Sequence, residues 1–312
     1  MTSLKKYQAP RGTIAKLAYK HRFLYVMFAP IALYYVIFHY IPLIMGVIMS
    51  FQNFKIGSNL FTAPWVGFDN YITVFKNKAI VSAIKNTLVI SALKIAFGFL
   101  PPIILAICLF DLKSRIFKRI SQTIVYIPHF FSWVIVYGIF FAFFSTGSGV
   151  INQIVEFFTG KRIDFFLNKN WFLFLIVLSS LWKTIGWNSI LYLAALTSVN
   201  MELFEAAKID GCGPFKRVWY ITLPCILPII SFVFTLTIGS ILMSDFEQIL
   251  MFYNTQVYSV ADVISTWVYR EGLSKFKYSL GAAVSILNGG VSVLLILLGN
   301  KLSKRVSGRG MW

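Results

Sequence analysis

The sequence is short of acid: its 312 residues carry 11 Asp and Glu against 29 Lys and Arg, a formal net charge of +18. Histidine and cysteine are scarce, with three of each. His21, His39 and His129 form no His-Glu-x-x-His or similar cluster, so a metal-dependent membrane enzyme finds no support and no metal site is expected. Cys108, Cys212 and Cys225 stand at spacings that match no metal motif; we expect reduced thiols that serve as small buried hydrophobes. A Gly-x-x-x-x-Gly-Lys-Ser/Thr run is also missing. Gly160-Lys161-Arg162 lacks the upstream glycine and the hydroxyl residue, so the chain has no nucleotide phosphate cradle of its own. No cofactor is expected in this chain, and energy for any work must arrive from a partner.

What is abundant is hydrocarbon. The chain is 58% hydrophobic and only 13% charged, a balance that a soluble domain does not carry. Apolar stretches predict six membrane spans, at 23–50, 86–110, 122–144, 171–196, 225–244 and 279–299. The first is too long for a signal-peptide core and lacks a small-residue cleavage site. Bends are expected at Pro42 and at Gly98 with Pro101-Pro102, and Pro128 lies near the inner end of the third span. The basic residues flank these spans. Inner segments hold 6, 4, 3 and 4 Lys and Arg against 4, 3 and 3 outside, with Lys94 and Lys183 inside spans. That bias places both termini in the cytoplasm and explains the positive charge without nucleic acid. The expected fold is an all-α membrane protein. It comprises a basic cytoplasmic segment (1–22) attracted to anionic lipid headgroups, a six-span domain (23–300) and a basic cytoplasmic tail (301–312).

One inner loop, 197–224, is more ordered than a connector needs to be. Asn200 can cap a short helix over Met201–Ile209, whose Leu203, Phe204, Ala206, Ala207 and Ile209 supply a small apolar face. Gly211 should stop the helix in the left-handed conformation, and Pro214 suits the first turn of the next one. Pro224 and Pro228 open the fifth apolar stretch. A short helix held between breakers, just before a span, looks like a mechanical contact.

Glu205, Ala206, Ala207, Gly211, Ile221, Leu223 and Pro224 make up the pattern Glu-Ala-Ala, three residues, Gly, nine residues, Ile-x-Leu-Pro. This resembles the signature loop of permease subunits of binding-protein-dependent ABC importers, complete and in the right loop. The resemblance extends over nearly the whole chain and is nearest to sugar permeases of the maltose-transporter type, in their polysaccharide or oligosaccharide subgroup. Gly67-Phe68-Asp69-Asn70-Tyr71 after the first span and the basic tail ending in Trp312 support that subgroup. The resemblance implies a type I (MetI-like) importer permease in a bacterial plasma or inner membrane. A second homologous permease, giving a heterodimer, would stand beside it. An ATPase dimer, which would bind ATP and Mg, would dock on the Glu-Ala-Ala loop, and a solute-binding protein would lie outside.

A path through lipid needs polar groups turned inward. The fourth span offers Trp182, Lys183, Thr184, Trp187 and Asn188; the end of the fifth offers Thr235, Thr237, Ser240, Asp245 and Glu247. Aromatic faces beside hydroxyl, amide and carboxylate groups suit a neutral sugar. In the related permeases the sugar contacts lie on these same two helices. Plainer readings stand beside each residue. Trp182 and Trp187 serve equally as packing or belt residues. Lys183 serves as a snorkelling side chain or the partner of an acid such as Asp245, and Lys94 as a snorkelling side chain or a pairing group inside the bundle. Thr235 and Ser240 serve as donors to helix carbonyls. Outside, Ser259 and Asp262 predict the start of a helix with the stripe Val260, Val263, Ile264, Trp267 and Val268, ended by Gly272. That helix would lie on the outer rim, wall a vestibule or contact an extracellular binding protein. A secondary transporter or channel is the rival class, but the inverted repeat or charged relay it would want is not found.

Overall fold

The computed structural model of the protein describes residues 19–239 and 246–307. Five helices are long and apolar enough to cross a bilayer: Arg22–Ser50, Lys78–Asp111, Lys169–Thr197, Pro214–Gly239 and Tyr278–Lys301. A sixth crossing is made of two pieces, Arg115–Phe130 and Trp133–Phe144, bent by 105°. The described residues thus hold five continuous candidate spans, and six where this bent pair makes one broken crossing. Among the described residues the only β pairing is an isolated bridge between Gln52 and Trp65.

Proline sets the local geometry of two spans in the same way. A prolyl ring clashes with the carbonyl four residues back and offers no N–H to it. Ahead of Pro42, Val36–Tyr40 widens into a π turn; ahead of Pro224, Val218–Thr222 does the same. In both, the wider turn ends two residues before the proline. The helix absorbs the misfit and continues instead of stopping. The fifth span consequently starts at Pro214 rather than at Cys225, where the apolar stretch begins.

Other boundaries also move outward from the hydropathy. Asn77 accepts the Ala79 N–H, so the second span is helical from Lys78 rather than from Asn86. Ser114 accepts the Phe117 N–H, which makes the expected basic inner loop 111–121 largely helical. The sixth helix runs on to Ser307, through the start of the expected tail. The third span, expected to run unbroken over 122–144, is interrupted at Phe131 and Ser132. There Ser132 caps a new helix by accepting the Ile135 N–H. Cys108 and Cys225 are exposed on the bundle surface and Cys212 is half-buried, so the expected burial of the thiols does not hold; all three are unbridged.

The fourth span is the hub. Its outer half, with Phe172, Leu175 and Ile176, packs against Val136 and Phe140 of the third span and Ile249 and Phe252 of the outer helix Phe246–Phe252. Its inner half, with Tyr192, Leu193 and Leu196, packs against Ile103, Ala106 and Leu109 of the second span and Ile226 of the fifth. At the outer end of the first span Asn70 donates to the carbonyls of Ser50 and Gln52, and Tyr71 bonds the Ser50 hydroxyl at 2.7 Å. Gly67 makes the turn into the short helix Asp69–Lys76, which carries both residues, at φ +59°. The Gly-x-x-Asn-Tyr stretch is thus a cap that satisfies the last carbonyls of the first span.

The outer segment departs most from expectation. Instead of one helix from Ser259 to Gly272 there are two short turns, Tyr258–Ala261 and Ile264–Trp267, the second continuing as a π turn over Val268–Leu273. Asp262 does not cap the first turn. Its carboxylate takes a bidentate bond from Arg270 at 2.9 and 2.6 Å and one from Thr266. Asn86 donates to the carbonyls of Ser259 and Asp262 from the second span. Val263 and Trp267 are buried, so this segment is an interior wedge and not a rim helix.

Candidate coupling loop and transport path

The Glu-Ala-Ala loop folds as its residue types dictate. Asn200 accepts the Glu202 N–H at 3.0 Å and returns a bond to the Glu202 carboxylate. The helix spans Met201–Ile209. It ends on Gly211 at φ +71°, where the Cys212 N–H reaches back to the Ala207 carbonyl at 2.8 Å, a closure that needs the left-handed residue.

Only Phe204 and Ala207 of the five apolar residues face the bundle; Leu203 is half out and Ile209 is 87% exposed. Phe204 lies 5.7 Å from the Phe110 ring and 6.0 Å from the Arg217 guanidinium, and Arg217 pairs with Asp111 at 3.2 Å. The helix is thereby clamped to the inner end of the second span while joined covalently to the fourth and fifth. Glu205 and Ala206 stay exposed with Ile209 on the outward side. Ile221 lies inside the π turn; Leu223 and Pro224 start the regular helix after it, with Leu223 packed into the inner core cluster.

The intramembrane residues do not share one face. Trp182 turns toward Phe140 and Phe131, at 6.0 and 6.4 Å between ring centres. Lys183 and Trp187, one turn apart, point at the break in the third span. The Lys183 ammonium donates to the carbonyls of His129 and Phe131, and the Trp187 ring stacks on His129 at 4.2 Å and 3°. These carbonyls are left over where the helix is interrupted, and the cation satisfies them. Thr184 bonds the Ser180 carbonyl of its own helix, and Asn188 is exposed. Thr235 is enclosed with its hydroxyl on the Ser231 carbonyl, and Thr237 bonds Val233 likewise. Ser240 and Asp245 lie outside the described residues, and Glu247 is exposed.

A polar network that the sequence only hinted at lies nearer the outer end. Lys94 donates to the Gln248 side chain at 2.5 Å, and the Gln248 amide donates to the Ile176 carbonyl and the Ser179 hydroxyl, each at 2.8 Å. Gln248 is fully buried. An intramembrane lysine was the visible signal, and pairing inside the bundle is what it does; its partner could not be named from the chain. His129 was legible only as a polar residue after Pro128.

Residues 98–308 match the family described as the binding-protein-dependent transport system inner membrane component. The chain belongs to that family: it is a membrane transport subunit, and ATP hydrolysis in such systems is carried by a separate subunit. It is 37% identical over 293 residues to the polygalacturonan/rhamnogalacturonan transport system permease protein YteP of Bacillus subtilis (strain 168), covering 94% of this chain and 91% of the relative. Protein LplB of the same strain is 39% identical, with 94% and 92% covered. The solved bacterial ABC transporter involved in the import of the acidic polysaccharide alginate contains a chain 37% identical to this one. It superposes with a TM-score of 0.86 over 95% of this chain and 99% of that one. A second structure of an alginate ABC transporter, in complex with an alginate pentasaccharide-bound periplasmic protein, gives a TM-score of 0.87 at 36% identity.

Proposed function

We propose that this chain is the permease subunit of an ATP-driven uptake system for an oligosaccharide or polysaccharide in a bacterial plasma or inner membrane. It would form the path with a second, homologous permease, receive substrate from a solute-binding protein outside and be driven by an ATPase dimer inside. ATP and Mg would be bound by that dimer. The observation that carries the reading is the Met201–Ile209 helix, exposed along one side and tied on the other to the second, fourth and fifth spans.

Displacing that helix would tilt the inner ends of three spans together, through Phe204–Phe110, Arg217–Asp111 and the two covalent connections. The fourth span carries Lys183 and Trp187 to the break in the third, so movement at the inner face reaches mid-membrane through rigid helix. ATP binding would then shift the populations of inward- and outward-open states. The polysaccharides named for YteP and for the alginate transporter support a glycan substrate. Trp182, Lys183, Thr184, Trp187, Asn188, Thr235, Ser240 and Asp245 remain our proposed substrate path.

The test is the ATPase rate of the reconstituted complex, with and without glycan-loaded binding protein. The panel contains alginate oligosaccharides, oligogalacturonides and arabino-oligosaccharides. Stimulation by one class confirms the reading and names the cargo. Uptake without any ATPase subunit would establish a secondary transporter instead.

A further inference from the structure

A cavity of about 480 Å³ opens at the outer end of the third span. It lies between the turn that follows that span, the segment 164–167 that leads into the fourth, and residues 251–254 at the end of the outer helix. Its volume falls in the roughly 300–1,000 Å³ range of small-ligand sites. One wall is aromatic. Tyr137 and Phe141, one turn apart on the third span, stand 5.9 Å apart with their rings inclined by 33°. The buried Phe166 backs both, at 5.8 and 5.6 Å, and the buried Phe252 stands 5.2 Å from Tyr137. Asn254 fixes that backing by donating to the Phe166 carbonyl while it accepts the Gln256 N–H. Phe141 is 49% exposed, so part of its ring is left uncovered.

Beside the rings the lining is polar and open. Thr146 and Asp164 are both exposed, and the Asp164 carboxylate accepts the Thr146 hydroxyl at 3.1 Å. A carboxylate offers about four acceptor positions, so most of this one is free for donors from outside. Tyr137 is half-buried, and its hydroxyl is accessible and has no hydrogen-bond partner among the described residues. Among the described residues Asp164 is also the one charged side chain in the lining. The neighbouring cation, Arg162, is committed elsewhere: its guanidinium donates to the carbonyls of Thr146 and Gly147 and pairs with Glu156 at 2.8 Å.

We infer that this cavity is an outer glycan subsite for a sugar unit without a carboxylate, which lies against Phe141 and Tyr137 and donates hydroxyls to Asp164. The inference rests on the glycan reading above and adds to it a station and a charge preference. The ligand chemistry follows from the lining. A C–H face meets the rings, and hydroxyl hydrogens meet the carboxylate in charge-assisted bonds. A uronate would bring a second negative charge against Asp164 with no free cation in the lining to offset it. The preference sets this chain apart from the transporter whose named cargo is the acidic polysaccharide alginate.

The experiment uses the complete reconstituted complex and two sets of probes. The neutral set holds arabino-, xylo- and manno-oligosaccharides; the acidic set holds oligogalacturonides and alginate oligosaccharides. With binding protein present, the wild type should take up a neutral probe in preference to both acidic ones. Asp164→Asn keeps the shape of the side chain and removes its charge. Its KM for that neutral probe should rise about threefold to tenfold, the loss of charge assistance, while uptake of the acidic probes should not weaken. Tyr137→Phe, which removes only the hydroxyl, should raise the same KM about threefold. Independently, Thr146→Cys in a background with Cys108, Cys212 and Cys225 replaced by Ser should react with a soluble thiol reagent. An excess of the neutral probe alone, without binding protein, should slow that reaction at least about threefold. Unchanged KM values in both Asp164→Asn and Tyr137→Phe overturn the subsite. So does protection of the Thr146→Cys thiol that is absent, or that needs the binding protein, which would make the cavity a docking contact. A wild type that takes up only acidic probes overturns this occupant and leaves the glycan reading standing. One that answers to no glycan overturns both.

Discussion

The ammonium of Lys183 donates to the backbone carbonyl of His129 at 2.6 Å, from one membrane helix to the break in another. The same ammonium also takes the Phe131 carbonyl. A lysine inside a span is normally expensive, and here the cost is offset because it satisfies two carbonyls that the interrupted helix cannot. Lys183→Met should therefore destabilise the purified complex by about 1–3 kcal/mol, while Lys183→Arg should recover part of the loss. Thermal unfolding in detergent measures both; a methionine variant as stable as the wild type would show that the break is held by something else.

Gly186 sits one turn from Trp182, in contact with the third span. A β-carbon placed there would collide with the Val125 carbonyl, a backbone group that cannot step aside as a flexible side chain would. We expect Gly186→Ala to cost about 1–3 kcal/mol, in the range of overpacking, and Gly186→Leu to prevent assembly of the third span against the fourth. Yield and thermal midpoint of the membrane-extracted protein report the effect.

Gly211 offers the contrast. Its φ of +71° requires the left-handed region, but an added β-carbon would meet no atom within 4 Å. The strain of a side chain there is local, about 1–2 kcal/mol, and stays in the loop. Gly211→Val should leave the protein in the membrane while abolishing ATP-driven uptake. Its disappearance from the membrane fraction, rather than from the transport assay, would count against the coupling role.

Outside the membrane, Glu271 pairs with Lys275 at 2.6 Å and Lys277 at 2.9 Å, and these bonds hold its carboxyl below the usual carboxylate range. A carboxylate whose folded pKa is depressed contributes stability that is full above its unfolded pKa and is lost as pH falls through the folded value. Acidification below the ordinary range should loosen the 271–277 turn. Arg270, whose pKa is pushed up by its bond to Asp262, stays charged throughout. Hydrogen exchange at pH 7 and pH 4 should show faster opening of 271–277 at the lower pH, and Glu271→Gln should remove the difference.

Much of this molecule was determined by sequence alone, because the forces that set it are local or come from the solvent. Six apolar stretches must cross a bilayer whatever their neighbours do. Asn200, Gly211 and Pro214 act on backbone groups within a few residues of themselves, so the loop was legible to the residue. Span ends were less so, since Asn77 and Ser114 extend helices past their apolar stretch with a single hydrogen bond each. What only the tertiary structure decided depends on partners far along the chain. Asp262 had an available role as a helix cap three residues after Ser259. It takes Arg270 instead, and Asn86 from the second span holds the break open. Gln248 became the partner of Lys94, 154 residues away, because the packing of the outer helix on the fourth span brings the amide there. In an apolar interior a polar side chain must find a hydrogen-bond partner, and which partner it finds is set by how the helices pack, not by its neighbours in sequence.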